Sequence, residues 1–243
     1  MGTIYNLIIY QPLLNTLIFL YKTVAFGDLG LAIIFLTIII RLVLFPLFQK
    51  SVEHQMVMQA LQPKLKQAQE AHHGNREKQS QAMLELYREH RVNPFMGFLL
   101  LLVQLPILFA VYHIFLKSFT PDVFKDLYSF VVAPAALNPM FLGLINLAKG
   151  STVVVACAAI AQYIQGRTSL RKLAPGEEVS SADRMARNMV LIGPAITILI
   201  FYRLPAALAL YWFITSLFSI GQQAIVNRKI ADGKLGNLHT KTH

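Results

Sequence analysis

Hydrophobic and polar positions divide this chain into long apolar runs separated by polar breaks. A helix crossing a hydrocarbon core of about 30 Å needs about 20 largely apolar residues. Five stretches meet that need: 29–48, 95–116, 151–165, 189–202 and 204–226, the third and fourth borrowing flanking residues. With their flanks they predict transmembrane segments over 29–50, 94–117, 150–168, 187–203 and 204–227. Only Arg203 and Pro205 interrupt the last two, which form a tight helical hairpin. A sixth apolar stretch, 4–20, is interrupted by Asn6, Gln11, Pro12 and Asn15, with Lys22 just beyond. Gln11, Asn15 and Lys22 recur at steps of 4 and 7, on one helical face. That pattern suits a helix lying in the membrane interface, so 1–28 is read as an interfacial element, with a sixth span as the alternative.

The polar breaks carry elements of their own. Segment 51–93 has helical spacing in Gln55, Met56, Met58, Leu61, Leu65 and Ala68 and again in Ala82, Met83, Leu86 and Tyr87. His72-His73-Gly74-Asn75 between them is a turn signal. Two amphipathic helices in a hairpin follow, with Pro63 kinking the first or marking its boundary. Their thin apolar stripes fit either a hairpin packed on itself or a face for a partner. Segment 118–149 contains Pro121, Pro134 and Pro139 among apolar residues and is too broken to span, so it belongs at an interface. Segment 169–186 is a polar loop, and 228–243 is a short basic tail.

Charge orients the bundle, because cytoplasmic loops carry the Lys/Arg excess. Seven such residues (Lys50, Lys64, Lys66, Arg76, Lys78, Arg88, Arg91) fall in the hairpin region. Five (Arg167, Arg171, Lys172, Arg184, Arg187) lie in the loop after the third span and four (Arg228, Lys229, Lys234, Lys241) in the tail. The opposite side has only Lys22, Lys117, Lys125, Lys149 and Arg203. The hairpin, the third-to-fourth loop and the C-terminus are therefore expected inside and the N-terminus outside; a spanning 4–20 segment would move the N-terminus in. No Lys or Arg precedes that segment, so a standard signal-peptide n-region is missing; a processed or shortened chain both fit. Composition agrees with a membrane protein: 55% of the 243 residues are hydrophobic and 14% charged, against about 25% charged in soluble domains. A single Cys, Cys157, excludes a disulfide framework and reads as a packing residue.

Arg41 is the residue that demands an explanation. It is the thirteenth residue of the 29–48 run, about 18 Å from one end and about 10 Å from the other at 1.5 Å per residue. A charge near mid-bilayer costs about 2.5–3.5 kcal/mol on insertion scales. Either Arg41 snorkels to the inner interface or it faces a water-filled cavity. Polar residues on other spans favour the cavity. Tyr211, Thr215, Ser219 and Gln222 fall at steps of 4, 4 and 3 on one face, with Ser216 and Gln223 beside it. Gln162 and Gln165 lie on the third span, Gln104 on the second, and Thr37 one turn before Arg41. Buried polar groups need partners or water, and a hydrated groove supplies both. No acidic residue lies within a span, and His-Glu-x-x-His, P-loop and Gly-x-Ser-x-Gly motifs are missing. Enzyme chemistry, a cofactor and a metal are therefore not expected. The basic tail fits attraction to lipid headgroups better than RNA contact.

These residues carry a resemblance. The run Thr37-Ile-Ile-Ile-Arg41-Leu-Val-Leu-Phe-Pro46-Leu resembles the first core span of the YidC/Oxa/Alb membrane protein insertases. Further matches follow in family order: Leu61-Gln-Pro63-Lys64, Leu86-Tyr87, Val92-Asn93-Pro94-Phe95, Gln104-Leu-Pro106-Ile107, Phe141-Leu-Gly143-Leu, Gln162-Tyr-Ile-Gln165, Leu204-Pro205, Ala209-Leu-Tyr211-Trp212 and Gln222-Gln223. Each is short, and the ordered set is specific. The sequence departs from the Gram-negative pattern in lacking the large periplasmic domain and anchor helix, and from many Gram-positive members in lacking a lipoprotein signal.

The resemblance implies an all-α integral membrane protein with a five-helix core, an N-terminal interfacial amphipathic helix and a cytoplasmic helical hairpin. Its hydrophilic groove would open to the cytoplasm and sideways to lipid. Arg41 would supply the groove's positive charge, Gln104, Gln162 and Trp212 its wall, and the hairpin would receive substrate. The implied protein is a monomer-competent insertase of the bacterial cell membrane. Its partners would be newly made membrane proteins and the lipid bilayer, with the Sec translocon and the ribosome as candidates and no specific nucleic-acid recognition. Rival readings are a small channel or transporter with an Arg-containing pore and a structural subunit of a membrane complex.

Overall fold

The structure, a computed structural model, describes residues 2–93, 95–117, 120–170, 179 and 181–232. The tail beyond 232 and half of the 169–186 loop lie outside the described residues, and 181–186 belong to the helix that follows. Helix α1 (Thr3–Tyr5), a π-helical turn (Asn6–Tyr10) and α2 (Gln11–Thr23) form one rod. Pro12 follows the wide turn, where its missing N–H removes one helical hydrogen bond. The rod is long and apolar enough to cross a membrane, yet its polar contacts run along its length. Tyr10 lies 5.7 Å from the Lys117 ammonium, and Asn15 accepts from the Tyr128 amide at 2.7 Å and donates to the Asp126 carbonyl at 3.3 Å. The Tyr21 hydroxyl accepts from the Asn138 amide at 2.9 Å. The polar face that predicted an interfacial helix is thus turned in part toward protein, with Asn15 buried.

A turn with Phe26 (φ 52) and Gly27 (φ 78) leads into α3 (Leu29–Val43). Asp28 caps α3 by accepting from the Leu31 amide at 2.9 Å, and its second oxygen accepts from Leu142 at 2.6 Å. At the second residue of α3, Gly30 lies under the Phe141 ring, so that an added Cβ would run into a ring carbon. Helix α4 (Phe45–Ala71) follows at once, bent by 66° from α3. Pro46 explains the break, since it cannot donate to the carbonyl four residues back and its ring crowds that carbonyl. The apolar run thus conceals a bend before Phe48, and no helix boundary falls at 50/51. Pro63, expected as a kink or boundary, lies inside α4.

Helix α5 (Arg76–Glu89) returns antiparallel after a turn at Gly74 (φ 89), and Asn75 caps it through the Lys78 amide. The hairpin closes on its own small core of Val57, Leu61, Leu65 and Val92, with Met58, Met83, Leu86 and Tyr87 packed against it. Helix α6 (Met96–Lys117) leads into a 3-10 turn (Pro121–Asp126) and a minimal antiparallel pair, β1 (Met140–Phe141) and β2 (Ile145–Asn146). Helices α7 (Thr152–Thr168), α8 (Ser181–Phe201) and α9 (Ala206–Ala231) complete the bundle. Helix α7, at 17 residues, and α8, at 21, both extend beyond their short apolar runs into flanking residues; α7 packs against both α8 and α9. A Cβ on Gly166 would meet Val190 at 3.1 Å, the close approach that small residues permit between membrane helices. Cys157, expected to pack inside, is exposed with Val153 and Ile160 because the helical period puts all three on the outward side of α7.

The bundle has two ends: a loop face, carrying the 120–150 segment, and a hairpin face, carrying α4 and α5. Backbone bonds from Ala206 to Lys149 and from Ala207 to Leu147 fix the start of α9 at the loop face. The main core lies toward that end, in Leu14, Leu17, Ile18, Leu29, Ile33, Leu36, Ile114, Leu147 and Leu208.

Candidate functional site

Three helices change character part-way between the loop face and the hairpin face. Helix α3 buries Leu29, Ala32, Ile33 and Leu36, then Thr37 and Arg41. Helix α9 buries Ala206 through Leu210, then Tyr211, Thr215, Ser216, Gln222 and Gln223. Helix α6 buries Ala110, Val111, Ile114 and Phe115 near the loop face and carries Gln104 further in. An apolar plug therefore sits at one end and a polar seam at the other.

Arg41 occupies the head of the seam, with 5% of its surface exposed. Its guanidinium stacks over the Phe48 ring at 4.4 Å, a contact made possible by the bend between the two residues. Tyr211 lies within electrostatic range of Arg41 and accepts a hydrogen bond from Gln104 Nε2 at 3.0 Å. Thr37 donates to the Ile33 carbonyl at 2.7 Å, and Ser219 to the Thr215 carbonyl at 3.0 Å. Among the described residues, buried polar atoms without a hydrogen-bond partner include Arg41 Nη1, Gln49 Oε1 and Gln222 Nε2 along the seam, and Gln59 Oε1 and Trp212 Nε1 elsewhere on α4 and α9. Each such atom costs about 1–3 kcal/mol where neither water nor a partner reaches it.

At the hairpin face α4 lies against α9. Phe45 and Phe218 meet edge to face with centroids 6.4 Å apart. Glu53 accepts from Lys229 at 2.9 Å and from Gln49 at 3.1 Å. Glu53 lies beyond the apolar run: burial pushes its carboxyl up, and the hydrogen bonds and charge of its neighbours outweigh this and hold it below the ordinary value. Gln59 donates to the Ser169 carbonyl at 3.1 Å, and Ser169 in turn to Gln223 at 3.2 Å.

The sequence-predicted residues divide accordingly. Arg41, Thr37, Gln104, Tyr211, Thr215, Ser219 and Gln222 lie on the helices that form the seam. Gln162 instead accepts from Thr197 on α8, and the Trp212 ring lies tilted against Phe201 with centroids 5.8 Å apart, so both face α8. Gln165 lies one turn beyond Gln162, its carbonyl taken by Thr168 and Ser169. Gln49 and Glu53 escaped sequence reasoning, although Arg41, Phe45, Gln49 and Glu53 fall at steps of 4. On the far side α6 leaves Phe98, Leu99, Leu102 and Leu105 exposed, and α8 exposes Met189, Leu191, Ile192, Ile196 and Leu199. Apolar surface of this extent is solvated by lipid in a multi-pass chain.

The fold and seam define a mainly helical, multi-pass membrane protein with a seam of buried polar side chains inside its bundle. The family described as 60Kd inner membrane protein matches residues 19–233. Similar proteins include the membrane protein insertase YidC of Pelobacter propionicus, 32% identical over 93% of this chain and 39% of that one. That of Citrifermentans bemidjiense is 31% identical over 92% and 37%. A crystal structure of an active YidC insertase with its first transmembrane domain resolved has the same fold, with a TM-score of 0.57 and 24% identity over 87% of this chain and 45% of that one. The chain belongs to the 60Kd inner membrane protein family, and it spans under two fifths of the curated relatives' length.

Proposed function

We propose that this protein is an insertase for small membrane proteins, working through the recess headed by Arg41. The observation that carries this reading is the polar seam below an apolar plug, with buried polar atoms left unpartnered along it and α4 closed over its hairpin-face end. Such a seam accepts a short polar segment and shields it from lipid. Arg41 attracts acidic residues of that segment, by about 1 kcal/mol in water and about 4 kcal/mol at an effective dielectric of 20 for charges 4 Å apart. The client's apolar segment then leaves sideways past α6 into lipid, and burial of about 25 cal/mol per Å² of apolar surface drives the step. No covalent chemistry and no cofactor is required of the chain.

Thr37, Gln104, Tyr211, Thr215, Ser219 and Gln222 line this groove with Arg41; Gln162, Gln165 and Trp212 form the wall behind it toward α8. The Lys/Arg excess in the hairpin and tail supports a cytoplasmic hairpin and C-terminus, with the N-terminus outside. Contacts from Tyr10 to the last residue of α6, and from Asn15 and Tyr21 to the segment after it, support a rod lying along the outer interface, since a spanning rod would meet that end of the bundle at one end only. Newly made membrane proteins and lipid are the partners, with the Sec translocon and the ribosome as further candidates; a single chain contains the whole groove. The apolar plug argues against a channel.

Reconstitution into liposomes tests the reading. A short single-spanning client should become protease-protected above the level of empty liposomes. Protection no better than empty liposomes, with solute flux present, would replace the insertase by a channel.

A further inference from the structure

The closed seam has a feature that the insertase reading does not use. Helix α4 shuts the hairpin-face mouth by the Phe45–Phe218 contact and the Glu53–Lys229 ion pair, which joins residues 176 apart in sequence. Shutting it leaves Gln49 Oε1 and Gln222 Nε2, an acceptor and a donor on the two helices that meet there, buried without partners. The closed form is therefore held by a pair that water reaches, Glu53 being 25% and Lys229 44% exposed, and opposed by unpaired groups beneath it. Pairs of that exposure are worth about 0.2–1 kcal/mol, so another cation exchanges readily for Lys229. Glu53 is also the first acidic residue after Arg41 in the chain. Arg41 and Glu53 set a cation deep in the recess and an anion at its mouth.

We propose that Glu53 is a specificity-determining residue that captures the basic flank of a client. A Lys or Arg on the client's retained side takes the place of Lys229 on the Glu53 carboxylate, α4 parts from α9, and the seam opens to the client's polar backbone. Arg41 and Glu53 then read the two ends of one client with opposite sign, favouring the orientation that keeps basic residues inside. This rests on the insertase reading, and the test separates the two.

The experiment uses the full chain in zwitterionic liposomes, without a membrane potential, and two clients that differ only in a Lys-rich or Gln-substituted retained flank. Wild-type protein should protect the Lys-rich client about two- to fivefold better, the range of a half-exposed ion pair. Glu53→Gln should abolish that preference while still inserting the Gln-flank client above empty liposomes. Glu53→Asp should restore the preference, and Lys229→Gln should keep it, since that change leaves the carboxylate free; a merely structural latch would make Lys229→Gln and Glu53→Gln behave alike. Insertion with the same flank preference in wild type and Glu53→Gln overturns the role of Glu53 and leaves the insertase intact. Insertion of neither client above empty liposomes overturns both.

Discussion

Replacing Arg41 by methionine separates two ways in which a membrane protein can hold a buried cation. Methionine keeps the length and much of the apolar stem, so the bundle loses a charge and little volume. If the guanidinium were sealed in a dry bundle, its burial at 5% exposure with Nη1 unpaired would carry the mid-bilayer penalty. Removing it would then stabilise the fold by about 2.5–3.5 kcal/mol. If the seam opens to water, most of that penalty is already relieved by hydration, and stability should change by less than about 1 kcal/mol. Function should respond in the opposite sense. A client carboxylate 4 Å from Arg41 gains at least about 1 kcal/mol, and that energy corresponds to about a fivefold change in rate. The assay is protease protection in liposomes with a client carrying an acidic translocated segment and its Asn-substituted twin, alongside unfolding in mixed micelles. Arg41→Met should lower insertion of the acidic client about fivefold or more and leave the neutral twin within about twofold. A variant stabilised by about 3 kcal/mol that discriminates between the two clients as wild type does would refute the reasoning and make Arg41 a sealed structural residue.

Other outcomes follow from single contacts. Gly30→Ala forces a Cβ into the Phe141 ring and should destabilise the loop face by about 1–3 kcal/mol, read by thermal unfolding in detergent. Asn15→Leu leaves the Tyr128 amide without its acceptor; a loss of about 1–3 kcal/mol should appear as faster hydrogen exchange in the segment after α6, with the hairpin unaffected. Because the folded-state Glu53 carboxyl is held below its ordinary 4.5, its contribution to docking α4 is complete above that value and disappears as pH falls through the lowered one. Exchange in the first turns of α4 should therefore rise on acidification by an amount worth less than about 1 kcal/mol, and Lys229→Gln should flatten the response.

Much of the bundle is legible in sequence because apolar length is a one-dimensional property. The runs behind α6, α8 and α9 need only hydropathy, and Tyr211, Thr215 and Gln222 share a face by spacing alone. The bend at Leu44 is not legible in the same way. Hydrophobic residues continue through Phe48, so the run looks unbroken, and Pro46 reads equally as the first turn of a new helix. Partner identity is also invisible: nothing in spacing sends Gln162 toward Thr197 on α8 rather than toward Arg41, or joins Glu53 to Lys229. The N-terminal rod illustrates the same limit. Gln11, Asn15 and Lys22 announce a polar face, but the backbone groups at Asp126 and Tyr128 that engage Asn15 come from a loop more than a hundred residues away.

Sided access to Thr215 tests the central claim most directly. With Cys157, which is exposed, replaced by alanine, a lone cysteine at Thr215 would be challenged with a membrane-impermeant maleimide on vesicles of either orientation, beside a second lone cysteine at Leu36 in the apolar plug. A recess that opens at the hairpin face and ends beneath the plug predicts modification of the Thr215 site from the hairpin face alone, and none at Leu36 from either face. Modification from both faces would mean a continuous pore, and none from either would mean a dry bundle; each contradicts the account.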